Sequence, residues 1–195
     1  MIYRLKRTLI QALLLALFCG YFLASPGSAQ RRDFMTDEEI ELIRDSQDID
    51  ARMDVITRMI DRRFGVLGID AGGWKQGQKT SGEWGEPPKG SRLELLSDIK
   101  KLLLKAIDDI DNLASHPDSA PIREKGDKEA KKDPQRFSVA VRKLGQAAGR
   151  YLPVFRAQLD NSNDDLEKGL LLDSIDYSNQ IIEAVGKLTP EVKKK

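Results

Sequence analysis

Chemistry that depends on sulfur has almost nothing to work with here. The chain of 195 residues holds one cysteine, Cys19, and it sits inside an apolar run near the N-terminus. A disulfide or a thiolate metal site needs more than that. Histidine is equally scarce, with His116 alone. A ferritin-like site with Glu-x-x-His on two helices therefore cannot be assembled, and haem attachment through C-x-x-C-H is absent. His116 stands in Ser-His-Pro-Asp and reads as a turn residue. Aromatic residues make up 6%. No segment alternates with period two over a useful length and no internal repeat is found, which disfavours sheet and solenoid architectures. Charge of one sign is not in excess either: 32 basic residues face 31 acidic ones, for a net charge of +1. That balance argues against a general polyanion binder, nucleic acid included.

Long hydrophobic runs are limited to one, Leu9 to Ala24, broken only by Gln11 and Gly20. Arg4, Lys6 and Arg7 precede it, and Ser25-Pro26-Gly27-Ser28-Ala29 follows, with small residues at Gly27 and Ala29. This is the pattern of a secretory signal peptide over residues 1–29, cleaved after Ala29. The run is 16 residues long, short of the roughly 20 that a spanning helix needs. An uncleaved N-terminal membrane anchor is the alternative. Phe18 precedes Cys19, where lipoprotein processing needs a small residue, so lipidation is set aside. Cleavage removes three of the 32 bases and none of the 31 acids. The chain from Gln30 on then carries 29 bases against 31 acids, a net charge of −2. It would be periplasmic or secreted, and at about 166 residues it can bury a core without covalent staples.

Helical periodicity dominates what is present. Thr36 and Glu39 form a capping box before a short helix with Ile40 and Ile43 inward. Gln47-Asp48 marks a bend. A second helix runs from about Asp50 to Leu67, with Met53, Ile56, Ile60 and Phe64 on one face. Asp48–Arg52 and Asp54–Arg58 are spaced as i,i+4 pairs. Ser91 and Glu94 cap a third helix that ends before His116. Asp133 and Pro134 open a fourth, with Pro153 placed to kink or break it. Asn161 to Asn163 cap the last helix, whose apolar stripe is read as Leu166, Leu170, Ile175, Tyr177, Ile181, Ile182, Val185 and Leu188. The expected fold is all-α: an antiparallel bundle over residues 30–190 with three long helices and one or two short ones. Residues 68–90 form a Gly/Trp-rich loop, 115–133 a charged loop and 191–195 a basic tail.

Within the first loop, Gly72, Gly77, Lys79 and Thr80 nearly spell a phosphate-binding loop. The preceding element is helical rather than a strand. The next helix starts at Ser91, and Gln78 shifts Lys79 out of register. No nucleotide and no cofactor is therefore expected. Trp74 and Trp84 either pin this loop to the bundle or meet a partner. Asp160 to Asp164 spaces oxygen ligands as a calcium loop does, but Asp165 stands where glycine is needed and Leu171 where the bidentate glutamate belongs. Helix capping explains the cluster, and no metal is expected.

Asp108 and Asp111 share a face of the third helix, so they could do acid/base work. Arg123, Lys125 and Lys128 of the next loop are placed to neutralise them. Charge is segregated along the chain: residues 36–54 carry eight acids and two bases, 121–156 ten bases and four acids, 157–186 seven acids and one base. The basic fourth helix would neighbour the acidic ones in the bundle.

Thr36-x-Glu38-Glu39-Ile40, Ile43-Arg44-x-x-Gln47, Asp50-x-Arg52 and Asp61-Arg62-Arg63 resemble a group of uncharacterised exported bacterial helical proteins over residues 34–67. The resemblance implies export and helicity and carries no activity. Arg44 and Arg52 flank the bend and are placed to fasten the two helices by hydrogen bonds.

The leading expectation is an exported, non-enzymatic helical protein acting by interaction with an envelope protein or polymer. Its contact residues would be Trp74 and Trp84, or Lys131, Lys132 and Arg136. One alternative is a small-ligand binder or carboxylate enzyme with Asp108 and Asp111 inside the bundle. Another is attachment to an anionic surface through the fourth helix.

Overall fold

The computed structural model describes residues 32–73, 82–116 and 134–188. Five α-helices follow in order: α1 (Asp37–Asp45), α2 (Ile49–Val66), α3 (Arg92–Ser115), α4 (Pro134–Asn161) and α5 (Asp165–Gly186). A 3₁₀ turn, Gly82–Trp84, lies between α2 and α3. No strand occurs among the described residues. The compact unit that holds all five helices begins at Asp33.

The caps form where the sequence places them. Thr36 Oγ1 accepts from Glu39 N while Glu39 Oε2 accepts from Thr36 N, and Ser91 and Glu94 repeat the arrangement on α3. One expectation changes: α5 is capped by Asp164, whose Oδ1 accepts from Leu166 N and Glu167 N, rather than by Asn161 to Asn163. Capping thus uses a donor of the suspected calcium loop. α4 continues through Pro153 without a break. Both Pro153 and Gly149, whose carbonyl loses its partner, face solvent, where water can serve the carbonyl.

Four helices are long, so the body is a four-helix bundle with α1 as an added cap. α2 packs against α3 and α4, and α5 packs against the same two. α3 and α4 touch sparsely and α2 and α5 do not, which makes these pairs the diagonals. Helix directions follow from the cross-helix pairs. Arg63, late in α2, meets Asp98, early in α3, so these run antiparallel. Between α2 and α4 the pairs are Asp48–Arg136, Asp54–Lys143 and Asp61–Arg150, rising together along both helices. Arg92–Glu167 and Lys100–Asp173 do the same for α3 and α5. Consecutive helices therefore alternate in direction, as expected. Because the α3-to-α4 link spans a diagonal, however, two of the four neighbouring pairs are parallel.

The core is centred on Met53, Ile56, Ile60 and Phe64 of α2, Leu96 to Ile110 of α3, and Ala140 to Phe155 of α4. Phe64, Tyr151 and Phe155 form a ring cluster with centroids 5.4, 5.5 and 6.3 Å apart, each contact adding about 0.5–1.5 kcal/mol beyond burial. On α5 the buried residues are Leu171, Ser174, Ser178 and Ile181. Of the expected stripe, Leu170, Ile175, Tyr177, Ile181, Val185 and Leu188 pack on the core, while Leu166 and Ile182 are exposed.

Candidate functional site

A group of charged side chains lies buried around the C-terminal part of α2, which α1 and α3 each contact. α1 contacts only α2 and the 3₁₀ turn, and its one buried residue is Glu39, with no exposed surface at all. The Glu39 carboxylate accepts from Arg62 Nη1 at 3.0 Å and from Arg63 Nη1 and Nη2 at 2.9 and 2.8 Å. With the bond from Thr36 N, both oxygens are fully used. The arginines are themselves tied down. Arg62 Nη2 donates to the carbonyls of Gly85 and Glu86, and Arg63 donates to those of Met59 and Phe34. Arg63 Nε lies 3.6 Å from Asp98 Oδ2, an ion pair beyond hydrogen-bond range. Burial pulls the Arg62 guanidinium below its ordinary range, and the charge of Glu39 opposes that shift. The cluster therefore fastens three segments to the end of α2: the N-terminal stretch at Phe34, α1, and the residues just after the 3₁₀ turn.

The role expected for Arg44 and Arg52 is only half met. Arg52 Nε donates to the Ser46 carbonyl across the bend. Arg44 binds Glu41 on the surface. The fastening is done instead by Arg62 and Arg63, part of the same motif. The signal of Arg63 was legible: it falls beside Met59 and Ile60 on the core side of α2, where an unpaired charge would be costly, whereas Arg62 is on the opposite side of the helix and is buried by α1 and the 3₁₀ turn.

A second buried group sits one turn away. Tyr151 Oη donates to Asp61 Oδ1 at 2.8 Å, and burial together with Asp61 pushes the phenol well above its usual range. Arg150 pairs with Asp61 and donates to the Ala71 carbonyl at 2.8 Å, which anchors the start of the Gly/Trp-rich loop. Gly72 has φ +71°, and a side chain on Gly73 would collide with the Asp61 carboxylate. These two glycines are thus explained by the backbone and by close approach. The rest of the phosphate-loop resemblance, 74–80, lies outside the described residues.

Of the expected contact residues, Trp84 is 4% exposed. Its ring lies beneath Arg58 at 4.8 Å and beside Arg62 at 5.4 Å. An exposed contact at Trp84 is corrected: the 3₁₀ turn folds the ring onto α2 as a pin. Trp74, Lys131 and Lys132 lie outside the described residues. Arg136 points at Asp48 and Asp50 of α2. The expected neighbouring of basic and acidic helices is therefore observed. Asp54 binds Lys143 rather than Arg58.

Asp108 and Asp111 are exposed on α3 rather than inside the bundle. Asp111 borders a crevice of about 40 Å³ with Ile107, Val141 and Gln180. That crevice is far below the several hundred Å³ of a small-molecule site, and Asp108 lines a separate, open groove of about 330 Å³ on the outer face of α3, not in the bundle interior. Arg123, Lys125 and Lys128 fall outside the described residues. His116 closes α3 and lies at the exposed helix end. Among the described residues, no group of three or more His, Cys, Asp or Glu side chains gathers as a metal site would, and no helix is long and apolar enough to cross a membrane. No protein-family model, curated protein or solved structure matches the chain.

Proposed function

We propose that this protein works by binding a macromolecular partner with its surface, as an exported helical bundle of the cell envelope, and not by chemistry inside the bundle. The supporting observation is how the buried charges are used. Glu39, Asp61, Arg62, Arg63 and Asp98 are all buried, and each is engaged with another charged group. A catalytic carboxylate is ordinarily kept available to substrate, whereas these are locked by their own neighbours. The proposed export rests on the leader pattern of residues 1–29. The compact unit begins at Asp33, beyond the expected cleavage point at Ala29.

Attachment to an anionic surface through α4 has less support. Arg136, Lys143 and Arg150 face acids of α2, so half-spent charges would have to act. The test is affinity capture from an envelope extract of the source cell, with residues 30–195 as bait. A protein partner retained by the wild type and by Lys131→Glu/Lys132→Glu, and weakened by Trp74→Ala, is the expected result. Capture of nothing above an unrelated helical bundle would overturn the reading. Capture lost in the charge-reversed bait would favour the anionic surface.

A further inference from the structure

The outer face of α3 carries charges that the rest of the fold does not use. Lys101 and Asp108 have no ion-pair partner among the described residues. Lys101 lies over the ring of Phe34, 5.8 Å from its centroid. Leu104 stands between them and is 38% exposed. With Phe34, Lys105 and Asp109 these residues line an open groove of about 330 Å³. Lys105 and Asp109 already pair with each other at 3.2 Å. The groove thus has an apolar centre, a cation on its N-terminal side and an anion on its C-terminal side, neither in an ion pair among the described residues.

We infer that this face binds a second copy of the chain through a two-fold axis near Leu104. The argument is charge complementarity. Lys101 and Asp108 are seven residues, or two helical turns, apart, so their Cα atoms stand about 10 Å apart along α3. An antiparallel copy of α3 centred between residues 104 and 105 sets Lys101 against Asp108 of the second copy, and Asp108 against its Lys101. The same operation brings the two Leu104 side chains together, beside Phe34. A two-fold interface must be self-complementary, and a face with opposite charges equally spaced about a point between Leu104 and Lys105 meets that condition. A parallel arrangement would set like charges together. The inference is independent of any envelope partner, so the capture experiment can succeed where this one fails.

Sedimentation of residues 30–195 over a wide concentration range at low salt tests it. The wild type is expected to show a monomer–dimer equilibrium that weakens as salt rises. Leu104→Glu should abolish the dimer while circular dichroism stays unchanged, because the site is exposed. Lys101→Asp or Asp108→Lys alone places like charges at two symmetry-related points and should weaken dimerisation by on the order of tenfold. The double variant Lys101→Asp/Asp108→Lys should restore it. A monomer at every concentration would overturn the inference, and would be the outcome if the chain's own basic segment 121–132 covers the face. A dimer indifferent to all of these variants would overturn it equally.

Discussion

Arg63 lies on the apolar side of α2 and Arg62 on the opposite side, under α1 and the 3₁₀ turn, and both are among the largest fully buried side chains of the described residues. They are tolerated because Glu39 and a set of backbone carbonyls meet their Nη donors, although neither buried Nε has a hydrogen-bond partner among the described residues. The geometry is bidentate at Arg63, which suits a planar guanidinium and would not suit lysine. Asp61 is held similarly by Tyr151 and Arg150. The phenol of Tyr151 holds its proton more tightly in the folded chain than when unfolded, since its folded pKa is raised. Its contribution to stability is complete below the ordinary tyrosine range of about 10 and is lost as pH climbs through the raised value. Tyr151→Phe should therefore lower stability at neutral pH by about 1–3 kcal/mol, because Asp61 loses a bond. It should also flatten the alkaline fall in thermal midpoint. Equal alkaline slopes in wild type and variant would show that the phenol has no such role.

Helices whose caps and stripes are built from ordinary residues were readable from the sequence: α1, α3 and α4 begin or end where Thr36, Ser91, Pro134 and His116 place them. On α5 most of the stripe was legible, but its buried centre was not, for a physical reason. Its buried face includes Ser174 and Ser178, whose hydroxyls are satisfied by the carbonyls of Leu170 and Ser174. Polar letters thus sit where a hydrophobic pattern looks for leucine, while Leu166 and Leu172 lie outside. The close approach of α4 and α5 is equally hidden in a small residue. A side chain on Gly145 would strike Cγ2 of Val185, whereas one on Gly169 would meet nothing within 4 Å. Valine is stiff at χ1 in a helix and cannot easily yield. Gly145→Ala should consequently destabilise the protein by about 1–3 kcal/mol despite its better helix propensity. Gly169→Ala should stabilise it by up to about 1 kcal/mol. Chemical denaturation of the two variants compares them directly, and a stabilised Gly145→Ala would contradict this packing.

At the scale of the whole molecule, charge segregated along the chain becomes charge paired across the bundle. The acids of α2 meet the bases of α4 at Asp48–Arg136, Asp54–Lys143 and Asp61–Arg150. The sequence blocks foretold neighbours of opposite sign. They did not foretell that these neighbours run parallel, because the diagonal path from α3 to α4 leaves no trace in composition. The same limit hid the central cluster. Glu39 and Arg62-Arg63 were visible as one motif, but their convergence depends on α1 folding back over the end of α2. The central claim is that this motif is a structural clamp. A double-mutant cycle on equilibrium unfolding tests it, using Glu39→Gln, Arg63→Met and the two together. Removing one partner of a buried pair should cost about 3–5 kcal/mol, and the double variant should cost clearly less than the sum. Single variants of unchanged stability, or losses that simply add, would contradict the clamp.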